Sequence, residues 1–427
     1  MKKIFSIILI ALLALPMAAQ VKRSDDFHSK YKLKEAVVLS RHNIRSPLSG
    51  RGSTLGDLTP HEWVKWSAAP SELTKRGGAC ETLMGQFFGD WLIGEGLFPA
   101  NYVPTADEVE VYANSMQRCI ATAQYFTSGF MPVANLRVNH KYSPSKMDPV
   151  FNPCLTKASP EFVEEAQKQI AAMGGEGGVV AYNEAIAPNY ALIEEVIDAK
   201  TSPAAKAGKF KGFNDYNCKV KLEKGKEPSF ASGSLKDACS VSDALTLQYY
   251  EEPDSLKAGF GHPLTRQQWK QIAEVKDAYQ DMLFCAPIVA ANVAHPLIEY
   301  MHDELNSDAR KFCLLVGHDS NIGSVAAALG IEVKDLPNAI EAQTPIGGKM
   351  VFEKWEGPDG KEYVAVNMVY QTVDQLRDPS LLLVENAPMV VPVPITGLTP
   401  NADGLYSLDD INARFQQALA AYEAIPY

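Results

Sequence analysis

Two short apolar runs, each ending abruptly in charged and polar residues, constrain the fold of this chain more than any other feature of its sequence. Ala36–Ser40 runs into Arg41-His42-Asn43, and Phe312–Val316 runs into Gly317-His318-Asp319. Runs of this length and composition are typical of strands that are buried on both faces, as in parallel sheets covered by helices. The abrupt change to polar residues predicts a loop at the carboxyl end of each strand.

Helical segments alternate with these strands. Val109–Tyr112 is a third short strand, and apolar residues at helical spacing follow it after Ser115. Thr74 is a candidate N-cap for a helix that ends near Gly94 or Gly96, and an alanine-rich helix follows Asp319. This alternation predicts the α/β class, with a three-layer α/β core around a mostly parallel central sheet.

The chain of 427 residues is longer than a single core usually supports, so we expect an insertion or a second domain. Between residues 147 and 261 the sequence becomes rich in Ala, Glu and Lys and poor in β-branched runs. This texture predicts a mainly α-helical cap inserted into the core, which would then comprise residues 21–146 and 262–427. Lys349–Trp355 and Tyr363–Tyr370 flank Gly357-Pro358-Asp359-Gly360, a pattern typical of a hairpin.

The first 20 residues differ from the rest. Two lysines precede a run, Ile4–Leu15, that is apolar apart from Ser6, and the small residues Ala18-Ala19 follow it before Gln20. Because the run is too short to span a bilayer, it predicts a signal peptide at residues 1–20 that is removed on export. We therefore expect a periplasmic or secreted protein with no membrane attachment after cleavage.

Composition narrows the partners. The formal net charge is −11, which disfavours nucleic acid and anionic membranes as partners. The seven cysteines form no C-x-x-C pair, and nothing calls for a metal or an organic cofactor. Cys218 and Cys239 flank a Lys/Gly-rich loop and are the first pair to test for a disulfide.

Three polar clusters follow the three predicted strands, and the loops at the carboxyl ends of parallel strands converge on one crevice. They contribute two histidines, three arginines and an aspartate: Arg41, His42, Arg45, Arg118, His318 and Asp319. Guanidinium forks suit the oxygens of a phosphoryl group, and a neutral histidine can attack its phosphorus. A poor alkoxide leaving group needs a proton from a carboxyl such as Asp319. The sequence therefore predicts phosphoryl transfer, fastest at mildly acidic pH.

The pattern Arg-His-x-x-Arg-x-Pro at residues 41–47, with His318-Asp319 far downstream, resembles the histidine acid phosphatases. Members of that family have an α/β core and an α-helical cap. The resemblance implies that His42 is the nucleophile and that Asp319 is the proton donor. It also implies four phosphate ligands: Arg41, Arg45, Arg118 and His318.

Within the family, Asn43 stands where most members carry glycine after the nucleophile. Here and in further stretches the chain is similar to the periplasmic glucose-1-phosphatases, which implies glucose 1-phosphate as the best single substrate. Asn43, Leu48 and Glu251 are then possible substrate-pocket residues. Glu251 would accept sugar hydroxyls and repel heavily phosphorylated ligands.

Other functions stay open. A phytase, acting on inositol polyphosphate, should carry extra basic residues in its pocket, and after Pro47 the sequence offers only Arg51. A phosphotransferase would pass the phosphoryl group to an alcohol, and a non-catalytic phosphate-binding protein would be expected to lack His42 or Asp319. The small-molecule phosphate ester is the expected partner, and the oligomeric state is open between a monomer and a homodimer.

Overall fold

The computed structural model describes residues 23–48, 54–144, 146–382 and 386–426, so the predicted signal peptide and Arg51 lie outside the described residues. The strands are β1 Lys32–Arg41, β2 Val109–Ala113, β3 Val220–Lys221, β4 Ser229–Phe230, β5 Phe312–Gly317, β6 Lys349–Glu356, β7 Glu362–Tyr370, β8 Met389–Pro392 and β9 Tyr406–Ser407.

The helices of the first half are α1 Asp25–Lys30, α2 Thr54–Asp57, α3 Lys75–Gly94, α4 Gln117–Phe130, α5 Pro160–Met173, α6 Gly178–Ala185, α7 Ala187–Val196 and α8 Pro203–Lys206. Those of the second half are α9 Ser234–Glu251, α10 Ser255–Ala258, α11 Arg266–Phe284, α12 Pro287–Leu305, α13 Asp319–Leu329, α14 Val373–Arg377 and α15 Leu408–Glu423. Two 3₁₀ turns, Ala199–Thr201 and Pro379–Leu381, complete the elements.

The central sheet is mixed, which corrects the expectation of a mostly parallel one. Its order is β2-β5-β1-β6-β7-β8, and β9 pairs with β7. β5 pairs in parallel with both β1 and β2, whereas β6, β7, β8 and β9 pair antiparallel with their neighbours. The difference arises because the predicted hairpin of β6 and β7 joins the sheet directly beside β1. The α/β class itself is confirmed.

Helices cover both faces of this sheet, as the predicted three layers require. Val37 and Leu39 of β1 belong to a hydrophobic cluster with residues of α12, α13 and α15. The alternate residues Ala36 and Val38 belong to a second cluster with residues of α3 and α4. Because side chains alternate along a strand, the continuous apolar run of β1 serves both layers at once.

A third hydrophobic cluster holds the helices that lie beyond the sheet. It includes residues of α5, α7, α9 and α11, with Trp269 and Tyr250 among its fully buried side chains. α11 therefore packs with the helices of the predicted cap, although it follows the predicted boundary at residue 261. The division of the chain into a core and a cap at residues 147–261 stays a prediction.

Several local features match the sequence patterns. Thr74 caps α3 by accepting the backbone N–H of Gly77, and α13 ends at Gly330 in the left-handed conformation, with φ 67°.

The seven cysteines are all unpaired, so Cys218 and Cys239 form no disulfide. Among the described residues no single helix has the length and apolar character to cross a membrane, and only the bent pair α11 and α12 passes that test together.

Candidate active site

The carboxyl ends of β1, β2 and β5 lie side by side. Arg41 at the end of β1 is in register with Gly317 at the end of β5, and Ala113 of β2 is in register with Val316. Since both β1 and β2 run parallel to β5, the residues that follow each strand emerge at the same edge. This arrangement brings together the three polar clusters that the sequence predicts.

A cavity of about 520 Å³ opens at this edge. His42, Arg45, Arg118, His318 and Asp319 all line it. Arg41 lies behind them, 1% exposed, with its Nη2 3.3 Å from Oδ2 of Asp319. The structure thus places the six residues of the predicted phosphate site in one pocket or directly against it.

His42 is held with one ring nitrogen free. Its Nδ1 lies 2.9 Å from the carbonyl oxygen of Asn43, and a carbonyl can only accept a hydrogen bond, so Nδ1 carries the proton. Nε2 is then the atom with a lone pair. Burial, followed by the charges of Arg118 and Arg45, holds the pKa of His42 well below its usual range. The imidazole therefore stays neutral, and nucleophilic, in acidic solution.

The loop behind His42 is anchored by a buried ion pair. Asn43 donates through Nδ2 to Oε2 of Glu81 over 2.8 Å, and its Oδ1 accepts the N–H of Ile44. Nζ of Lys349 lies 2.6 Å from Oε1 of Glu81, and both side chains are fully buried. Asn43 is itself buried and does not line the cavity, so its side chain fixes the loop that follows the histidine.

Arg118 is the unpaired cation of the site. It extends from the first turn of α4, is 9% exposed, and has no hydrogen bond or ion pair with the residues that the structure describes. Arg45, by contrast, donates from Nη2 to both carboxylate oxygens of Asp243 on α9, at 3.1 and 3.0 Å. Burial of an unpaired guanidinium is unfavourable, and an anion in the cavity would compensate it.

His318 has the same tautomer as His42. The amide orientation of Asn114 is set because its Oδ1 accepts the N–H of Asp148, so its Nδ2 donates to Nε2 of His318 over 2.7 Å. The proton of His318 is therefore on Nδ1. Burial and the charge of Arg118 lower the pKa of His318 to about 3, which keeps this ring neutral as well.

Asp319 begins α13 and is held by two cations. Its Oδ1 accepts the backbone N–H of Ser320, and its Oδ2 lies 2.5 Å from Nζ of Lys276 as well as close to Arg41. Burial acts to raise the pKa of Asp319, but Lys276 and Arg41 outweigh it and hold the pKa well below the usual range. With these two cations beside it, Asp319 is a carboxylate.

Two of the possible pocket residues behave differently from each other. Leu48 lines the cavity and is 62% exposed, whereas Glu251 does not line it. Oε2 of Glu251 accepts a hydrogen bond from Thr74 over 2.8 Å, at the start of α3. The reason is its position on α9, about 12 Å further along the helix than Asp243 at 1.5 Å per residue.

Three charged residues of the cavity are not among the sequence candidates: Lys276, Asp243 and Glu227. Burial, followed by the charge of Asp319, raises the pKa of Glu227. One sequence signal is available for Lys276, which shares the apolar face of α11 with Ile272 and Tyr279. Among the described residues, no group of three or more His, Cys, Asp or Glu side chains is arranged to hold a metal ion.

Comparison with known proteins identifies the family of this chain. Residues 32–370 match the model of the histidine phosphatase superfamily, branch 2. The chain is 36% identical over 423 residues to a glucose-1-phosphatase of Providencia rettgeri, covering 98% of this chain and 99% of that protein. It is also 36% identical over 408 residues to a glucose-1-phosphatase of Salmonella typhimurium, covering 93% and 97%.

Solved structures show the same fold. The apo form of Hafnia alvei phytase superposes with a TM-score of 0.82 at 27% sequence identity, covering 92% of this chain and 98% of that one. The family match and the glucose-1-phosphatase relatives show that the chain is a phosphoric monoester hydrolase. The chain belongs to the histidine phosphatase superfamily, branch 2, and is a histidine acid phosphatase.

Proposed function

We propose that this phosphatase hydrolyses singly phosphorylated sugars, with glucose 1-phosphate as its best substrate, through a phosphohistidine on Nε2 of His42. The observation that carries the proposal is that one cavity contains both a buried guanidinium without a hydrogen-bond partner, on Arg118, and a neutral imidazole, on His42. A dianionic phosphoryl group satisfies the first and is attacked by the second.

The reaction has two steps. In the first, the lone pair of His42 forms a bond to phosphorus, the ester P–O bond breaks, and the leaving oxygen takes a proton from Asp319. In the second, Asp319 removes a proton from water, which attacks the phosphohistidine and releases inorganic phosphate. Arg118, Arg45 and Arg41 stabilise the negative charge on the equatorial oxygens in both steps.

The charges of the cavity favour one phosphate group over several. Arg45 is paired with Asp243, Lys276 with Asp319, and Arg41 with Glu341, which leaves Arg118 as the cation without a partner among the described residues. Glu227 adds a further carboxyl to the wall. An inositol polyphosphate would bring many negative charges against these carboxylates, whereas a hexose monophosphate brings two. The relatives named glucose-1-phosphatase support the same choice.

Phytate is the second candidate substrate, because a phytase from Hafnia alvei shares the fold at 27% identity. The ratio of kcat/KM on glucose 1-phosphate to that on phytate, measured between pH 4 and 6, separates the two. A ratio above one supports the sugar phosphate, and a ratio below one makes the enzyme a phytase.

We also propose that the enzyme acts outside the cytoplasm, because residues 1–20 have the pattern of a signal peptide. Fractionation of expressing cells, with determination of the amino terminus of the mature protein, tests this. An amino terminus near residue 21 in the exported fraction is the expected result, and an uncleaved Met1 in the cytoplasm would contradict it.

Trapping the covalent intermediate tests the mechanism. Enzyme mixed with ³²P-labelled substrate and quenched in alkali, which preserves phosphohistidine, should carry label on the peptide containing His42. The variant His42→Ala should lose this label and at least about 1,000-fold in kcat. The exposed His140 provides the matched control, His140→Ala, which should keep both. Label on another residue would overturn the assignment.

A further inference from the structure

Lys276 lies in direct contact with Asp319, the proposed proton donor. It is the lysine among the described residues that line the cavity, and its side chain extends from α11 with 8% of its surface exposed. Its Nζ lies 2.5 Å from Oδ2 of Asp319. Burial acts to lower the pKa of Lys276, but Asp319 outweighs it and raises the pKa above its usual value. The side chain is therefore an ammonium.

Charged groups from every neighbouring element surround this ammonium. Asp319 from α13 contributes most, and Arg41 from β1 opposes it. The further titratable groups near Lys276 are Glu341 before β6, Asp243 and Cys239 on α9, and Asp277 and Asp281 on α11 itself. Of these, Asp319 is the carboxylate in hydrogen-bond contact with Nζ.

The two carboxylate oxygens of Asp319 make different contacts. Oδ1 accepts the N–H of Ser320 over 2.9 Å, so it is tied to the first turn of α13. Oδ2 is the oxygen available to hold a transferable proton, and both cations contact it: Nζ of Lys276 and Nη2 of Arg41 at 3.3 Å. A proton on Oδ2 would have to replace the hydrogen bond from Lys276. Asp319 therefore cannot serve as an acid until Lys276 moves or is neutralised.

We propose that Lys276 is a positioning residue that keeps Asp319 ionised in the free enzyme and releases it for protonation when a phosphate dianion draws the ammonium away. This inference rests on the proposed phosphohistidine mechanism. The dianion attracts both Lys276 and Arg41, and its own charge beside Asp319 favours the protonated carboxyl. Binding of the ester and protonation of Asp319 are then coupled.

The proton balance closes. Asp319 takes a proton from solvent as the ester binds, gives it to the leaving oxygen when the P–O bond breaks, and regains one from the water that attacks the phosphohistidine. Asp319 returns the proton to solvent when phosphate leaves and Lys276 comes back to Oδ2. The net reaction is ester plus water to alcohol plus inorganic phosphate.

The test is the pH dependence of kcat/KM on an alkyl phosphate, which needs the proton, and on p-nitrophenyl phosphate, whose leaving group needs it less. In Lys276→Met the falling alkaline limb should move to higher pH by about one unit, because Asp319 has lost a cationic neighbour. Lys276→Arg should keep the wild-type limb. Lys270→Met, which removes a half-buried lysine of the same helix outside the cavity, is the control.

A second arm removes the partner. In an Asp319→Asn background, Lys276→Met should change kcat/KM by clearly less than it does in the wild type, because the effects of coupled residues are not additive. A pH profile of Lys276→Met that overlays the wild type would overturn the inference, as would an effect of equal size in the Asp319→Asn background. The latter outcome would make Lys276 an independent phosphate ligand. Labelling of His42 is measured in every variant, so failure of the phosphohistidine mechanism is seen separately.

Discussion

The rings of His42 and His318 meet edge to face, with their centroids 5.5 Å apart and an interplanar angle of 71°. They carry the same tautomer, with the proton on Nδ1: Nδ1 of His42 donates to the carbonyl of Asn43, and Nε2 of His318 accepts from Asn114. Both are neutral because burial among arginines opposes a further positive charge. The phosphate site therefore obtains its positive charge from guanidinium groups and keeps its nucleophile unprotonated.

Replacing Arg118 with Met should separate activity from stability. The guanidinium is buried without a partner among the described residues, so its loss should leave the free energy of unfolding unchanged or higher. Activity should fall about 100-fold in kcat/KM, since one fixed donor to the phosphoryl oxygens is gone. Inorganic phosphate should also cease to raise the Tm. The exposed Arg137 supplies the control variant Arg137→Met, and a large loss of Tm in Arg118→Met would contradict the prediction.

Acid should destabilise the protein partly through His318. Its pKa is about 3 in the folded protein and near 6.5 in the unfolded chain, so the unfolded chain binds more protons between these values. Stability is therefore complete above pH 6.5 and is lost as the pH falls towards 3, by at most about 1.4 kcal/mol per pH unit for this group. Asp319, with its lowered pKa, acts in the same direction.

The measurement compares urea denaturation at pH 7.5 and pH 4.5. The difference in unfolding free energy between the two pH values should be smaller in His318→Gln than in the wild type. His140→Gln, on the exposed surface, should leave the difference unchanged. An equal difference in all three proteins would show that His318 is protonated in the folded state at pH 4.5.

Substitution of Glu227 should change the substrate preference. This carboxyl lies in the cavity wall, where a second phosphate group of a polyphosphate would approach it. Glu227→Lys replaces a carboxyl with a cation that attracts phosphate, so the ratio of kcat/KM on phytate to that on glucose 1-phosphate should rise about tenfold, equal to about 1.4 kcal/mol. Glu184→Lys, at an exposed position on α6, should leave the ratio unchanged. A ratio that falls in Glu227→Lys would remove this residue from the specificity pocket.

The crossing of α3 and α4 depends on glycine. A Cβ added at Gly85 would clash with the backbone carbonyl of Phe126, and one at Gly129 would clash with the carbonyl of Thr82. Gly85→Ala should therefore lower the free energy of unfolding by about 1–3 kcal/mol. Gly94, at the end of the same helix, has open space around it, so Gly94→Ala should raise the free energy by about 0.5–1 kcal/mol. Equal effects in the two variants, measured by thermal or urea denaturation, would contradict this account.

The sequence predicts the site residues that closely follow a strand, and it does not predict those that lie elsewhere in the chain. His42, His318 and Asp319 directly follow buried strands, so their convergence follows from the strand pattern alone. Asp243, Glu227 and Lys276 lie in helices and loops of the region that packs over the cavity. Their orientation depends on tertiary packing between helices, and local sequence does not encode it.

The same limit explains two of the departures from expectation. Glu251 lies on α9, the helix that also carries Asp243, but the end of α9 lies beside Thr74 and not at the cavity. The sequence around Glu251 does not indicate where α9 docks. The hairpin of β6 and β7 is predicted from its turn residues, whereas its place beside β1 is a long-range pairing. The sheet is mixed for that reason.

The position of β1 in the sheet has a consequence for biosynthesis. The strand that leads to His42 lies between β5 and β6, residues 312–317 and 349–356, so both of its hydrogen-bonding neighbours come from the last third of the chain. A nascent chain that ends before Lys349 lacks one of the two edges against which the apolar run of β1 is buried. Pairings between such distant segments fold slowly and leave apolar strands exposed for longer. The sheet that positions His42 therefore cannot form until the last third of the chain has been synthesised. Until then, the solubility of the nascent chain depends on how the apolar run Ala36–Leu39 is shielded.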